Sequence, residues 1–436
     1  MNNSKRWMVA AVSVLVMLGP GAVYAFSLIS QPLIAAFGWT VGQASWAFAL
    51  ANFFLGIGAV IGGYWADRSG PRGPALAGVV LWGVGNALAG ITTPILGTLG
   101  MYLSYGVVGG LGCGMAYIAA LGCLIRWFPK QRGMFGGLAV MGFGFGATAY
   151  GYVIRLFPQV TEMSKSASTY LAQKAQGTLV AGTPPLGAHS VADLMNLLIF
   201  SGLGFAVFGA IFALLLANPP ANSDQAKDAA AMRSYATREM LGNQQFYVLW
   251  IMLFLNVIAG ITVLSNAVPI VAELTKLPAA QVAGIFVGLA SLNGIGRFVC
   301  GSVSDRIGRK PTFIAIFGIQ VLALMLLQGS HDIGRIALLV GVLLFCYGGG
   351  FGTMPSYNAD YFGLKWFGTN YGIHITAWGA AGLVGPWFAS TLKDLTGSFA
   401  SVLQPIAILL LVAVIFPIIS ERPEDDATAG SQAVVQ

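Results

Sequence analysis

Apolar stretches of about 18–25 residues recur along the whole chain, and that length is what a helix needs to cross the hydrocarbon core of a bilayer. They fall at roughly 8–33, 43–66, 74–92, 98–125, 133–157, 194–217, 246–272, 281–303, 312–328, 335–358, 369–391 and 398–419. Lipid offers the backbone no hydrogen-bond partners, so each stretch must satisfy its own amides and carbonyls as a helix. Composition agrees. Of 436 residues 56% are hydrophobic and only 8% charged, whereas a soluble domain carries roughly a quarter charged residues. The expected fold class is an all-α membrane protein of twelve transmembrane helices. The even count places both termini on one face.

The net charge of +7 does not point to nucleic acid, because the basic residues sit in short loops beside apolar spans, where they set topology. Most of them, including Lys5, Arg6, Arg126, Lys130, Arg132, Arg238 and Lys310, lie on the face of the termini. Few, among them Arg155, Lys276, Arg335 and Lys393, lie on the other. The positive-inside rule therefore predicts cytoplasmic termini. Lys5 and Arg6 precede an apolar run that is too long for a signal peptide, and it reads as an uncleaved first span. Cys113, Cys123, Cys300 and Cys346 lie inside apolar stretches without metal-ligand spacing and read as small packing residues.

Two hydrophilic segments divide the pattern. Residues 218–244 form a charged central linker between a six-helix half at 1–217 and a second at 245–420. Residues 158–193 form a long external loop, and the acidic tail at 421–436 is expected to be disordered. The halves repeat each other. Gly63-Tyr-Trp-Ala-Asp67-Arg68-Ser-Gly70-Pro-Arg72 follows the second span, and Gly301-Ser-Val-Ser-Asp305-Arg306-Ile-Gly308-Arg309-Lys310 follows the eighth. Arg126-Trp-Phe-Pro after the fourth span is matched by Asp360-Tyr-Phe-Gly after the tenth. The glycines permit close helix approach, and each aspartate can accept hydrogen bonds from a neighbouring helix N-terminus. Asp67, Arg68, Arg72, Asp305, Arg306 and Arg309 are thus candidate gating residues.

This doubled loop motif resembles the major facilitator superfamily, in which two six-helix halves bind substrate between them near the midplane. Within it the chain is similar to oxalate/formate antiporters and monocarboxylate porters. The resemblance is carried by Gly21-Ala-Val-Tyr24-Ala-Phe26-Ser27-Leu28, Arg126-Trp-Phe-Pro-Lys-Gln-Arg-Gly133, Asn293-Gly-Ile-Gly-Arg297, Pro355-Ser-Tyr-Asn-Ala-Asp360-Tyr-Phe-Gly363 and Asn370-Tyr-Gly372.

Arg297 is the one charged residue deep within a span, and every acidic residue falls in a loop or at a helix end. A charge at that depth costs at least about 2.5 kcal/mol on insertion scales and marks a substrate pathway. An anionic substrate would supply the missing countercharge, since guanidinium holds its charge and grips carboxylate through paired hydrogen bonds. The resemblance also places the family's substrate-binding arginine on Arg297. Asn293 stands one turn away, where the animal porters carry an aspartate implicated in proton coupling. It is neutral here. His374, one turn into the eleventh span, is read either as a satisfied buried polar residue or as a titratable group near the anion. Trp378 occupies the position of a lysine in the oxalate transporter pattern, which leaves one permanent cation and favours a monocarboxylate. The resemblance further implies a cavity lined by Tyr24, Leu28, Tyr117, Phe143, Tyr347 and Phe351.

The chain has no phosphate-binding Gly-x4-Gly-Lys-Ser/Thr motif, and its glycine-rich strings lie inside apolar spans, so neither a nucleotide nor any other cofactor is expected. Transport would draw on gradients. Moving one anion inward against 100 mV costs about 2.3 kcal/mol, which calls for proton symport or anion exchange. The expectation is a monomeric carrier of small organic anions, most readily monocarboxylates such as lactate, pyruvate or formate, in the inner membrane. The other readings are an oxalate/formate-type exchanger and a non-transporting carboxylate sensor. An enzyme is disfavoured, because no nucleophile, acid pair or metal set clusters at one depth.

Overall fold

The computed structural model describes residues 3–160, 162, 188–277, 279–396, 398 and 400–423. Most of the external loop and the tail from 424 lie outside them. Twelve helical segments follow one another: α1 (Ser4–Phe37), α2 (Val41–Ser69), α3 (Arg72–Leu96), α4 (Thr98–Trp127), α5 (Arg132–Arg155), α6 (Ala188–Ala213), α7 (Gln244–Thr275), α8 (Ala279–Ile307), α9 (Arg309–Gln328), α10 (Ile333–Phe362), α11 (Phe367–Thr396) and the shorter α12 (Leu403–Ile419); among the described residues nine of them, all but α8, α11 and α12, are long and apolar enough to cross a membrane. Several outrun the apolar stretch that signalled them. The 30 residues of α10 rise about 45 Å at 1.5 Å each, against a hydrocarbon core of about 30 Å. Their polar ends therefore project beyond the lipid on the face that carries the linker. In the linker, Asp224–Ala230 and Thr237–Gly242 form two short helices.

Among the described residues α12 is interrupted at Val414, and two helices that carry site residues depart from regular geometry. Beyond Pro20, α1 tightens into a 3-10 turn over Ala22–Ala25, and this turn carries Tyr24. Proline removes a ladder hydrogen bond and starts such breaks. Gly21 lets the broken helix lie against α5, since a Cβ there would meet the Phe143 carbonyl oxygen. In α4, residues Tyr102–Gly109 widen to a π-helix.

The two halves meet along two helix pairs. The most extensive pairing in the molecule is α2 with α11, and α5 with α8 is its counterpart. Both seams are lined by small residues. A Cβ on Gly137 would lie 2.4 Å from the Arg297 carbonyl oxygen, and one on Gly144 would lie 2.6 Å from the Gly294 Cα. Van der Waals contact at this range is what joins helices in lipid, where no hydrophobic force acts between them.

Candidate functional site

Arg297 is fully buried where α8 crosses α5. Its Nε donates to Asn293 Oδ1 at 3.1 Å, one turn back along α8. Nη1 donates to the Val140 carbonyl at 3.2 Å, and Nη2 to the Tyr24 hydroxyl at 3.3 Å. Both acceptors belong to the first half. Three of the five guanidinium N–H groups are thereby used, which leaves one on each terminal nitrogen. No carboxylate pairs with it among the described residues.

Aromatic rings close around the guanidinium. Its carbon lies 4.8 Å from the Phe351 centroid, 5.4 Å from Phe143 and 5.7 Å from Tyr24. Desolvated cation–π contacts of this kind supply part of what lost hydration costs. Trp378 occupies the middle of the cage, 4.6 Å from Phe351, 5.3 Å from Phe143, 5.7 Å from Tyr117 and 5.9 Å from Tyr24. Tyr347 joins through its hydroxyl, 3.2 Å from that of Tyr24. Seven anticipated residues thus surround Arg297 in one cluster built from α1, α4, α5, α8, α10 and α11. Hydrogen-bond donors are in excess there. Trp378 Nε1 and Asn293 Nδ2 are buried without a partner.

Two anticipated residues lie elsewhere. Leu28 sits a turn beyond Tyr24, beside Gly151 of α5. His374 shares a helix with Trp378, yet its ring packs between Phe246 of α7 and Tyr371 and, among the described residues, pairs with no ring of the Trp378 cage. The offset of about 40° between positions i and i+4 is enough to send the two side chains to different neighbours.

On the linker face, Asp67 accepts from the Gly368 and Thr369 amides at 3.0 and 2.7 Å, from the Thr369 hydroxyl at 2.8 Å and from Arg126 at 2.5 Å. A carboxylate from α2 thus caps the N-terminus of α11 in the opposite half, where free amides and the helix dipole favour an anion. Asp305 of α8 does the same for α5, accepting from the Gly133 and Met134 amides at 2.9 and 2.8 Å. Arg309 pairs with Asp305 at 2.8 Å and with Asp360 at 2.8 Å, and Asp360 also meets Arg132 at 2.6 Å. Arg72 reaches the Leu216 carbonyl, while Arg68 lies over the Tyr64 ring and Arg306 is exposed. Arg126 and Asp360 were visible in the repeated motif after the fourth and tenth spans, and Arg132 in the string that carries the family resemblance, although nothing in one sequence gave them partners. Among the described residues no group of His, Cys, Asp and Glu could hold a metal ion.

A model of the Major Facilitator Superfamily matches residues 10–386 and 264–433. The chain belongs to that superfamily. Its relatives include the oxalate:formate antiporter of Oxalobacter formigenes, 27% identical over 384 residues, covering 87% of this chain and 83% of the relative. The apicoplast pyruvate carrier 1 of Toxoplasma gondii is 26% identical over 361 residues, covering 75% and 65%. Monocarboxylate transporter 14 of Mus musculus is 23% identical over 465 residues, covering 95% and 89%. Among solved structures, FucP in its outward conformation superposes with a TM-score of 0.67 at 17% identity, covering 95% of this chain and 99% of that one. These likenesses bear out the fold of two six-helix halves.

Proposed function

We propose that this superfamily member is a secondary active transporter of small carboxylates, with monocarboxylates of the lactate, pyruvate or formate kind preferred. One observation carries the reading: a fully buried arginine, without a carboxylate partner among the described residues, in a cluster with unpaired N–H donors. Donors in excess suit a ligand that brings only acceptors, and a carboxylate does so in a shape that guanidinium matches. The ligand would span both halves, since Arg297 belongs to one and its partners Tyr24 and Val140 to the other. Alternating access would then swing the halves about the bound anion, with the linker face cytoplasmic and the carrier acting as a monomer in the inner membrane. Anion uptake against a negative interior requires proton symport or exchange for another anion.

The similarity to an oxalate:formate antiporter supports a second reading, exchange of a dicarboxylate for a monocarboxylate. Trp378 weighs against it, because a dianion in a low-dielectric site needs two compensating charges and the cage holds one. Counterflow in liposomes loaded with formate, lactate, pyruvate, oxalate or malonate tests both readings. The expected order puts the monocarboxylates first. Saturable oxalate counterflow at pH 8, faster than that of every monocarboxylate, would reverse the preference. Absence of counterflow for the entire panel would remove the transporter reading and favour a sensor.

A further inference from the structure

Between the Asp67 cap and the aromatic cage lies a second cluster of buried polar side chains. His374 is fully buried in it, as are Asn358 of α10 and Tyr371. The imidazole stacks on Tyr371 at 5.7 Å and meets the edge of Phe246 at 5.9 Å. Its Nδ1 lies 3.5 Å from Asn358 Nδ2, and the Leu249 carbonyl of α7 is turned towards the ring. Tyr117 of α4 continues the cluster towards the cage, its hydroxyl facing that of Tyr371 and its ring 5.7 Å from Trp378.

Polar atoms outnumber partners here. His374 Nε2, Asn358 Oδ1 and the hydroxyls of Tyr371 and Tyr117 are all buried without a hydrogen bond of normal geometry. The two hydroxyls face each other and the Leu249 carbonyl faces the imidazole, so of these four atoms Asn358 Oδ1 has nothing opposite it, and a buried polar atom so placed needs an explanation. Packing alone would put apolar side chains here. The cluster suits a group that changes its hydrogen-bonding state. Neutral imidazole accepts the Asn358 amide at Nδ1, and a half-turn of that amide offers Oδ1 to the N–H of an imidazolium instead. The Leu249 carbonyl supplies a second acceptor.

Among the described residues no fixed charge faces the ring. α11 presents Tyr371, α10 Asn358, α7 Phe246 and Leu249, and α4 Tyr117. On the opposite side of α11, α2 brings Ala59 and Val60. The nearest cation along this path is Arg297, beyond Tyr117.

We propose that His374 is the proton site of this carrier, linked to the carboxylate at Arg297 through Tyr371 and Tyr117. The inference rests on the carboxylate reading and selects symport from its two modes of coupling. A proton from water binds the imidazole lone pair on one face of the membrane and returns to water on the other. Burial opposes a positive charge on the ring, and a second cation in the same low-dielectric interior, Arg297, adds to that opposition. A carboxylate on Arg297 removes the part due to Arg297, and water admitted to the ring lowers the part due to burial, so anion and proton load together. His374 lies between the Gly368–Thr369 cap and Trp378, where opening of the linker face would admit water before it reaches the cage.

Reconstituted protein with a trapped pH-sensitive dye tests this, using lactate as the probe and protein-free liposomes as the blank. His374→Gln keeps an amide of similar reach that cannot be protonated. Lactate-driven proton uptake should fall at least about tenfold, while lactate–lactate exchange stays within about twofold of wild type. Proton uptake at the wild-type rate in His374→Gln would overturn the proposal. Loss of exchange along with proton uptake would also overturn it, because a structural role would then suffice. Wild-type protein that exchanges none of the carboxylates would overturn the transporter reading instead, a result distinct from either.

Discussion

Arg297 was legible as the centre of the candidate site because charge at membrane depth is so costly that one such residue outweighs all the apolar sequence around it. Its partners were legible unevenly. Tyr24 and Asn293 are side chains in recognisable positions, whereas the Val140 carbonyl is a backbone group that no residue type announces. The guanidinium uses Nε, Nη1 and Nη2 in three directions, and a lysine has no such fork. Arg297→Lys should therefore retain insertion yet lose at least about a hundredfold in lactate counterflow. Counterflow within a few-fold of wild type at equal expression would show that charge alone suffices. Trp378 allows the opposite substitution. Trp378→Lys would place a second cation among rings 4.6–5.9 Å away, and should raise oxalate counterflow relative to lactate. An unchanged ratio would mean that charge count does not set the preference.

At the scale of helices, length and apolarity gave all twelve spans, because the bilayer thickness fixes the length of each. Local irregularities were less legible. The 3-10 turn that presents Tyr24 follows from Pro20, but the π-helix in α4 has no sequence signal of its own. Glycine content indicated close packing without saying which glycine meets which helix. The structure separates them sharply. A Cβ on Gly137 would meet the Arg297 carbonyl oxygen, whereas one on Gly204 of α6 would meet nothing within 4 Å. Backbone cannot yield as a flexible side chain can, so Gly137→Ala must push α5 away from α8 and carry the Val140 carbonyl with it. The expected result is weaker lactate binding by about tenfold or more, measured as the concentration giving half-maximal counterflow. Gly204→Ala should leave that value unchanged. Equal behaviour of the two variants would show that the α5–α8 seam does not position the site.

The whole molecule joins its halves by the same device used twice. The repeated motif made the two aspartates legible as a pair, while their acceptor roles needed the fold, which brings α11 to α2 and α5 to α8. The copies are not identical. Asp67 meets Arg126 at the end of α4, whereas the matching position in the second half is Asp360, and Arg309 stands between it and Asp305. The linker strengthens one of the two contacts. Tyr235 bonds the Phe362 and Asn370 backbone and side-chain groups, and Thr237 bonds Asn370, two residues past the Gly368 amide that caps on Asp67. On the proposed alternating-access cycle, opening the linker face would break both caps in one motion. A hydrogen bond to a charged group contributes about 1.5–3 kcal/mol, and asparagine keeps the shape of aspartate but gives up the charge and one acceptor. Asp67→Asn or Asp305→Asn should thus shift the closed-to-open ratio by about tenfold, since about 1.4 kcal/mol is a factor of ten. The two caps share no partner, so the double variant should approach a hundredfold. Spin labels at exposed Arg68 and Arg306, in a cysteine-free background, would report this as a longer interhalf distance on the linker face. A slower counterflow rate with little change in half-saturation should accompany it. If the double variant keeps the wild-type distance distribution and rate, the aspartates serve membrane topology, and closure of this face depends on the glycine-lined seams alone.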